Sequence, residues 1–368
     1  MYQLNVLAVC VIIYSSFLYP LLLIFFARNF GRKNQRASVD DIYLPTVSHL
    51  VAVFNGEKSI NDKIENVLST APLIGFHELI IVTDGCTDNT ANIVADHEHV
   101  KLIELPHRVG KETALIEGIK KASGEIIIFS DLGTRILPGS VSALLNNFSQ
   151  KKIGVVSSVD FIPEDRYSLG AFFIRFEMML RLYESKLSSC VGVSGSYFAA
   201  RKHLCKKLTG HGCSDLDIAM IAVRSGYYAK TDYRVKGYYS LSDTFVDEFE
   251  RKKRTIVHGI STVSMNRDLL IIAKHGWFSW QLFSHKILRW FTAASAVWLI
   301  IYFGTEAAML APSLTATAML ALGSFIRMRG KTKLSNIGFF LASITAVFSA
   351  IFAVVTGNRY RTWKPSNK

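Results

Sequence analysis

Residues Val82–Thr90 read VTDGCTDNT, and this stretch decides the fold. It continues the apolar run Leu79–Val82, which reads as a buried strand, then turns sharply through Gly85 into a polar segment that reads as the start of a helix. An aspartate at the carboxyl end of a parallel strand stands where open α/β sheets bind ligands. Asp84 is therefore placed to accept hydrogen bonds from a nucleotide base, and Asp88 and Thr90 are placed to cap the following helix. An ordinary strand–turn–helix corner would read the same way, so neighbouring segments must decide.

Three more strand ends follow the rule. His49–Phe54 (HLVAVF) stops at Asn55-Gly56-Glu57, and Glu125–Phe129 (EIIIF) stops at Ser130-Asp131. Val100–Leu105 (VKLIEL) stops at Pro106, before His107-Arg108-Val109-Gly110-Lys111. Helical patterns lie between, at Ile60–Thr70, Ala91–Glu98 and Glu112–Ala122. Strands alternating with helices of this length predict an α/β fold with a parallel, doubly wound, Rossmann-like sheet. Glu57, Asp84, Lys111 and Asp131 would gather at one edge of it, a set that suits a nucleotide diphosphate with a metal.

These segments resemble a known family. Residues 47–265 are similar to the family 2 glycosyltransferases, which have the GT-A fold. The matching residues are FNGE (54–57), VTDGCTDNT (82–90), RVGKETALIEGIKKASGEIIIFSDLGT (108–134), GVSGSYFAARK (192–202), SDLDIA (214–219) and RKKR (251–254). Their order and spacing carry the resemblance, where a lone glycine motif would not.

The resemblance implies a nucleotide-sugar donor, UDP-linked by expectation, with Glu57 and Asp84 on the nucleoside and Lys111 near the base or phosphates. Phe54 flanks the base or belongs to the strand core. Asp131 is the first aspartate of the family's D-x-D motif, which holds the diphosphate through Mg2+ or Mn2+, hard cations that take oxygen ligands. Here the motif reads Asp131-Leu132-Gly133, so the second carboxylate is absent. That departure keeps a non-catalytic nucleotide-sugar-binding scaffold as an alternative.

On the acceptor side, Gly192–Tyr197, with Gly195 and Ser196, resembles the glycine-containing turn that lines the acceptor site; a tight turn between strands is the plain alternative. Asp215 matches the family's general base, which takes the proton of the attacking hydroxyl so that a single displacement inverts the anomeric centre. Asp217 competes by spacing, and either acid would also favour a helix N-terminus. Arg251-Lys252-Lys253-Arg254-Thr255 lies where processive members carry Q-x-x-R-W. Arg254 takes the arginine position and would neutralise the leaving diphosphate, whereas Arg251 replaces the glutamine and Thr255 the tryptophan. A solvated basic helix face is the alternative for this run.

Composition supplies the rest. Half of the 368 residues are hydrophobic, and the mean hydropathy of +0.25 is high for a soluble enzyme. The surplus lies at the two ends. Leu7–Ala27 is long enough to span a bilayer, and without a basic n-region or a cleavage site it reads as an uncleaved anchor. Ile287–Phe303, Ala307–Ile326 and Ile337–Thr356 are three further candidates. The expected organisation is an anchor (1–27), a polar linker (28–46), the GT-A domain (47–265), an interfacial segment (266–286) with Trp277, Trp280, Lys286, Arg289 and Trp290, C-terminal membrane helices (287–357) and a basic tail (358–368).

Arg28, Arg32, Lys33 and Arg36 place the catalytic domain on the cytoplasmic side of a plasma (inner) membrane. Arg327, Arg329, Lys331 and Lys333 ask for the same side, as do Arg359, Arg361 and Lys364 in the tail, and four full crossings do not satisfy both. The net charge of +13 has no nucleic-acid motif beside it; anionic lipids and substrates account for it, with a lipid-linked or polysaccharide acceptor as expected partner. Five scattered cysteines without metal-ligand spacing fit a reducing compartment.

Overall fold

The computed structural model describes residues 1–32, 45–71, 77–162, 168–238, 244–310 and 336–356. The basic tail, the loop carrying Arg327 to Lys333, most of the linker and most of the Ala307–Ile326 run lie outside these residues.

Eight strands form one sheet: β1 (Val47–Val53), β2 (His77–Asp84), β3 (Val100–Leu105), β4 (Ile126–Ser130), β5 (Arg135–Ile136), β6 (Ile153–Phe161), β7 (Tyr197–Arg201) and β8 (Tyr228–Tyr238). Their order is β3-β2-β1-β4-β7-β6-β8-β5. Among the described helices are α1 (Tyr2–Asn29), α2 (Ile60–Thr70), α3 (Thr90–Ala95), α4 (Lys111–Lys121), α5 (Ser140–Asn146), α6 (Leu169–Leu187), α7 (Ser214–Arg224), α8 (Phe245–Met265), α9 (Trp277–Glu306) and α10 (Asn336–Val355).

The central strands are apolar along their length because both faces are covered. Val47, Val51, Leu79, Ile81, Ile126 and Ile128 point to one side, where α2 and α5 pack. Leu50, Ile80, Val82, Ile127 and Phe129 point to the other, against α4 and α7. The period of two delivers alternate residues to the two cores, and each fully buried Ile or Leu contributes roughly 2 kcal/mol.

The sheet corrects one expectation. β1 to β4 are mutually parallel, as predicted. Beyond β4 the sheet is mixed: β7 runs antiparallel to both β4 and β6. A parallel neighbour needs a crossover that brings the chain back to the starting edge. Here the loop after α6 enters β7 from the opposite end, which sets Tyr197 across from Ser130. The Gly192–Ser196 turn thus stands at the same sheet edge as Asp131.

Two helices, α1 and α9, are long and apolar enough to cross a membrane, and Leu341–Val354 in α10 is a shorter apolar stretch. α1 packs Tyr19, Leu23 and Ala27 against Leu180 and Leu187 of α6. Both α1 and α9 contain a wide π turn, at Tyr14–Leu18 and Phe283–Ile287, and they meet there through Tyr14 Oη and Ser284 Oγ at 3.0 Å. The aromatic and basic segment from Trp277 does not form a separate helix. It runs unbroken into α9, and its Phe278 and Leu282 pack on Leu216 and Met220 of α7.

Candidate active site

The β1 and β2 loops bind each other before any ligand is considered. Gly56 N donates to Thr90 Oγ1 (2.8 Å), Glu57 N to Asp88 Oδ2 (3.1 Å) and Asn89 N to Glu57 Oε2 (3.2 Å). Asp88 Oδ1 accepts from Thr90 N at 3.1 Å and so serves the first turn of α3. Asn55 takes a left-handed backbone (φ 50°), and its side chain bonds Thr87 twice. Cys86 is a turn residue: its thiol lies 3.6 Å from Val53 O, and burial raises its pKa, which disfavours a nucleophilic role.

Asp84 is buried, and both its oxygens are engaged, Oδ1 by Val109 N (2.7 Å) and Oδ2 by Gly110 N (2.9 Å). It clamps the loop that leads into α4. Each carboxylate oxygen keeps a lone pair for a further donor. Gly85 (φ 63°) is required by shape as well as by φ, since a Cβ there would strike the backbone of His107 and Arg108. The same loop lays the Arg108 guanidinium 3.8 Å from the Phe54 ring centroid, leaving Nε and Nη2 buried without a hydrogen-bond partner among the described residues.

Asp131 and Lys111 meet at the centre. Lys111 Nζ lies 2.5 Å from Asp131 Oδ1 and 3.5 Å from Gly195 O. Burial alone would lower the lysine's pKa, but Asp131 and Glu112 outweigh it and hold the ammonium above its ordinary value. Asp131 N donates to Ser196 O at 2.9 Å, which ties the D-x-G turn to β7. Underneath, Lys63 Nζ donates to Thr134 O (2.7 Å) and His49 Nε2 pairs with Ser130 Oγ (2.7 Å). Burial pushes Lys63 down to about 7, against the pull of Asp131. The sequence reading missed Lys63, although it stands with Ile60, Ile64 and Val67 on the apolar stripe of α2.

Gly133 has open space where a Cβ would project, and its φ is not left-handed. The missing second carboxylate is therefore not a demand of the backbone. Among the described residues no group of three or more His, Cys, Asp or Glu is arranged to hold a metal. The donor set for a divalent ion is the half-exposed Asp131, already paired with Lys111, so the phosphate oxygens of a ligand would have to supply the rest.

The third group surrounds Asp215, in the first turn of α7. Its Oδ1 is buried without a hydrogen-bond partner among the described residues. Gly195 makes room for it: a Cβ there would come within 2.8 Å of Asp215 Oδ2. Glu112 Oε2 accepts from Ser214 N (3.2 Å), and burial raises its pKa to about 7 with Asp215 adding to the rise. Ser194 and Ser196 both donate to Asp160 Oδ1, at 2.5 and 2.7 Å, so the turn is pinned to the end of β6. Asp160 carried no motif and was invisible to sequence reading.

The alternatives separate here. Asp217 is buried and accepts from Asn266 Nδ2 at 3.1 Å, and burial raises its pKa. On α8, Arg254 is half-buried; burial lowers its pKa while Asp131 supports its charge, and Arg251 is held by a two-point ion pair to Glu248 (3.1 and 2.7 Å). The structure thus brings Lys111, Asp131, Gly195, Ser196, Asp215 and Arg254 to one locality, with Phe54, Glu57 and Asp84 in the adjoining loops. Asp217 is turned into the core.

Known proteins resemble this arrangement. The Glycosyl transferase family 2 model matches residues 48–209; Asp215 and Arg254 lie beyond it. A poly-beta-1,6-N-acetyl-D-glucosamine synthase from Staphylococcus epidermidis is 28% identical over 197 residues, 52% of this chain and 47% of that protein. Its counterpart in Staphylococcus aureus is 28% identical over 141 residues, 37% of this chain and 34% of that one. The chain thus spans about half the length, or less, of these curated relatives. Among solved structures, the mannosyltransferase PcManGT from Pyrobaculum calidifontis, in complex with GDP-Man and Mn2+, has the same fold, with a TM-score of 0.70 at 21% identity over 97% of this chain and 100% of that chain. Ordered motifs, matched residues and shared architecture agree: residues 48–209 match the family 2 glycosyltransferase domain, and the chain has the GT-A fold.

Proposed function

We propose that this protein is an inverting glycosyltransferase that moves a sugar from a nucleotide donor, UDP-linked by preference, to a membrane-associated, lipid-linked saccharide. The observation that carries this reading is the Asp215 carboxylate, whose Oδ1 is buried and unpartnered beside the small Gly195 and across from the Lys111–Asp131 pair. An acceptor hydroxyl hydrogen-bonded to Asp215 loses its proton as it attacks the anomeric carbon, and the nucleoside diphosphate leaves from the opposite face. Lys111 and Arg254 provide fixed positive charge for the leaving diphosphate. Phe54, Glu57 and Asp84 line the nucleoside end, while Ser196 and Gly195 shape the acceptor turn. Asp131 is the residue that would hold an Mg2+ or Mn2+ ion, and such an ion would screen the diphosphate.

Two helices of spanning length and Arg28 in the last turn of α1 support attachment to a membrane with the catalytic domain on its cytoplasmic face. An anchored enzyme meets a lipid-linked acceptor in two dimensions. The similarity to poly-beta-1,6-N-acetyl-D-glucosamine synthases favours a second reading, a processive synthase. Product length separates the two: one added sugar per acceptor supports the first, and long polymer from one donor the second.

The test uses full-length protein in detergent with UDP-, GDP- and dTDP-sugars, membrane lipid extract, and Mg2+ or Mn2+. Release of one nucleoside diphosphate that disappears in Asp215→Asn is the expected result. Nucleotide binding without turnover for any donor would overturn the proposal in favour of a non-catalytic sensor.

A further inference from the structure

Lys63 is 3% exposed on the core face of α2, and Asn66 follows it by one helical turn. Both reach the backbone just past Asp131. Lys63 Nζ donates to Thr134 O at 2.7 Å. Asn66 brackets Ile136: its Nδ2 donates to Ile136 O at 3.0 Å, and its Oδ1 accepts from Ile136 N at 2.8 Å. Thr134 N in turn donates to Asp131 O at 3.1 Å, which closes the turn that carries the D-x-G residues. Asp131 N is tied to Ser196 O, and His49 of β1 pairs with Ser130 Oγ. The turn is therefore fastened from below by α2 and β1 and from the side by the Gly195–Ser196 turn.

A bond to one carbonyl does not account for a lysine. Burying an ammonium without a carboxylate against it is costly, and among the described residues none forms an ion pair with Lys63. The acid that supports its charge is Asp131, but this support falls short of the burial penalty, and the group stands at about 7 rather than 10.5. Nothing else in this layer competes for it. His49 is kept neutral by burial together with Lys63 and His77, and α3 and α5, which complete the same core, carry no titratable side chain. An anion brought to the front of the turn would stabilise the charged form of Lys63. By reciprocity, the charged Lys63 would favour that anion.

We propose that Lys63 is a positioning residue for the donor: from beneath, it fixes the Asp131–Thr134 turn and places a buried positive charge behind the site of the diphosphate. This rests on the reading of the site as one for a nucleotide sugar. It gives the diphosphate a cation that it never touches, in addition to Lys111 and Arg254. Gly133 makes that charge consequential, because with one carboxylate fewer to hold a metal, more of the diphosphate's charge falls to the protein's own cations.

The experiment measures binding of a nucleoside diphosphate and of its nucleoside to the full chain in neutral detergent. The pair is UDP and uridine, or the GDP or dTDP pair where that base binds more tightly. The pH is set below about 7, where Lys63 is charged. Lys63→Met should weaken the diphosphate about tenfold, as expected for one charge acting across several ångströms of protein. The nucleoside, which carries no charge, should stay within about twofold, since its end of the site is remote from α2. Asn66→Ala loosens the same segment without removing a charge. Its melting midpoint should fall, with diphosphate affinity within about threefold of the parent. If Lys63→Met fails to fold, Lys63→Gln takes its place with the same expectation.

A folded Lys63 variant that binds the diphosphate as tightly as the parent overturns the proposal. So does an equal loss of diphosphate and nucleoside, or a loss in Asn66→Ala that matches the one in Lys63→Met, because either reduces Lys63 to a structural clamp. A parent that binds no nucleoside diphosphate overturns this proposal and the transferase reading together. The expected split between diphosphate and nucleoside, in a parent that transfers no sugar, sinks the transferase reading alone. Sugar transfer without that split sinks this one alone.

Discussion

The two edges of the site are built on opposite plans. At the β1–β2 edge, Asp84, Asp88, Asn55 and Thr90 spend their polar groups on neighbouring backbone and side chains, so the loops are locked without a ligand. At the α6–α7 edge, Asp215 Oδ1 and two nitrogens of Arg181 are buried and unpartnered. A satisfied network holds a shape, whereas an orphaned buried group costs about 1–3 kcal/mol and persists where something repays it, most simply a bound ligand. The first edge is preorganised by its own hydrogen bonds, whereas the second keeps polar groups without a partner among the described residues.

Substitutions sharpen that contrast. Asp215→Asn should cost about 10³-fold in turnover, within the range of a general base. Because Oδ1 makes no hydrogen bond, the thermal midpoint should stay near that of the parent. Nucleoside diphosphate release and a melting curve together check this; a large drop in stability would make Asp215 a structural residue. Asp84→Asn should behave in the opposite way. Its amide NH2 would face one of the two loop amides, donor against donor, at a cost of about 1–3 kcal/mol. The melting midpoint should fall and the donor KM rise, and an unchanged KM would break the idea of a preorganised edge.

Gly133→Asp asks whether the departure from D-x-D is functional. The Cβ meets open space, so stability should hold while the half-saturating Mn2+ concentration falls about tenfold. An unaltered metal response would mean that Lys111, rather than an ion, answers Asp131.

The smallest effect concerns pH. Glu112 has a folded pKa of about 7 against an ordinary value of 4.5, because burial raises it more than Lys111 lowers it. The folded state therefore holds the extra proton. Its contribution to stability is complete below 4.5 and is lost as pH rises through about 7. Glu112→Gln lacks this loss, so its melting midpoint should gain on the parent by a few degrees across that window. A difference that stays flat with pH would show that the carboxyl ionises normally.

Legibility from sequence followed the range of the physics. The strand runs, α2 (Ile60–Thr70) and the polar strand ends were readable because alternation and turn residues are local signals. Asp131, Lys111 and Asp215 were found because ordered motifs name them. The antiparallel β7 was missed, since strand direction depends on where a loop re-enters the sheet. Lys63 and Asp160 were missed because their significance lies in partners tens of residues away, Thr134 for Lys63 and Ser194 for Asp160.

By itself, then, the sequence determined an α/β domain, apolar segments gathered at the two ends of the chain and the identities of the residues at the strand ends, because hydrophobic periodicity and turn chemistry act over a few residues. Only the tertiary structure decided which polar groups are satisfied. It tied Asp84 to Val109 and Gly110, turned Asp217 toward Asn266, left Asp215 open beside Gly195, and crowded three cations around Glu177. Hydrogen bonding and desolvation are set by what lies within a few ångströms in space, and neither can be read from neighbours along the chain.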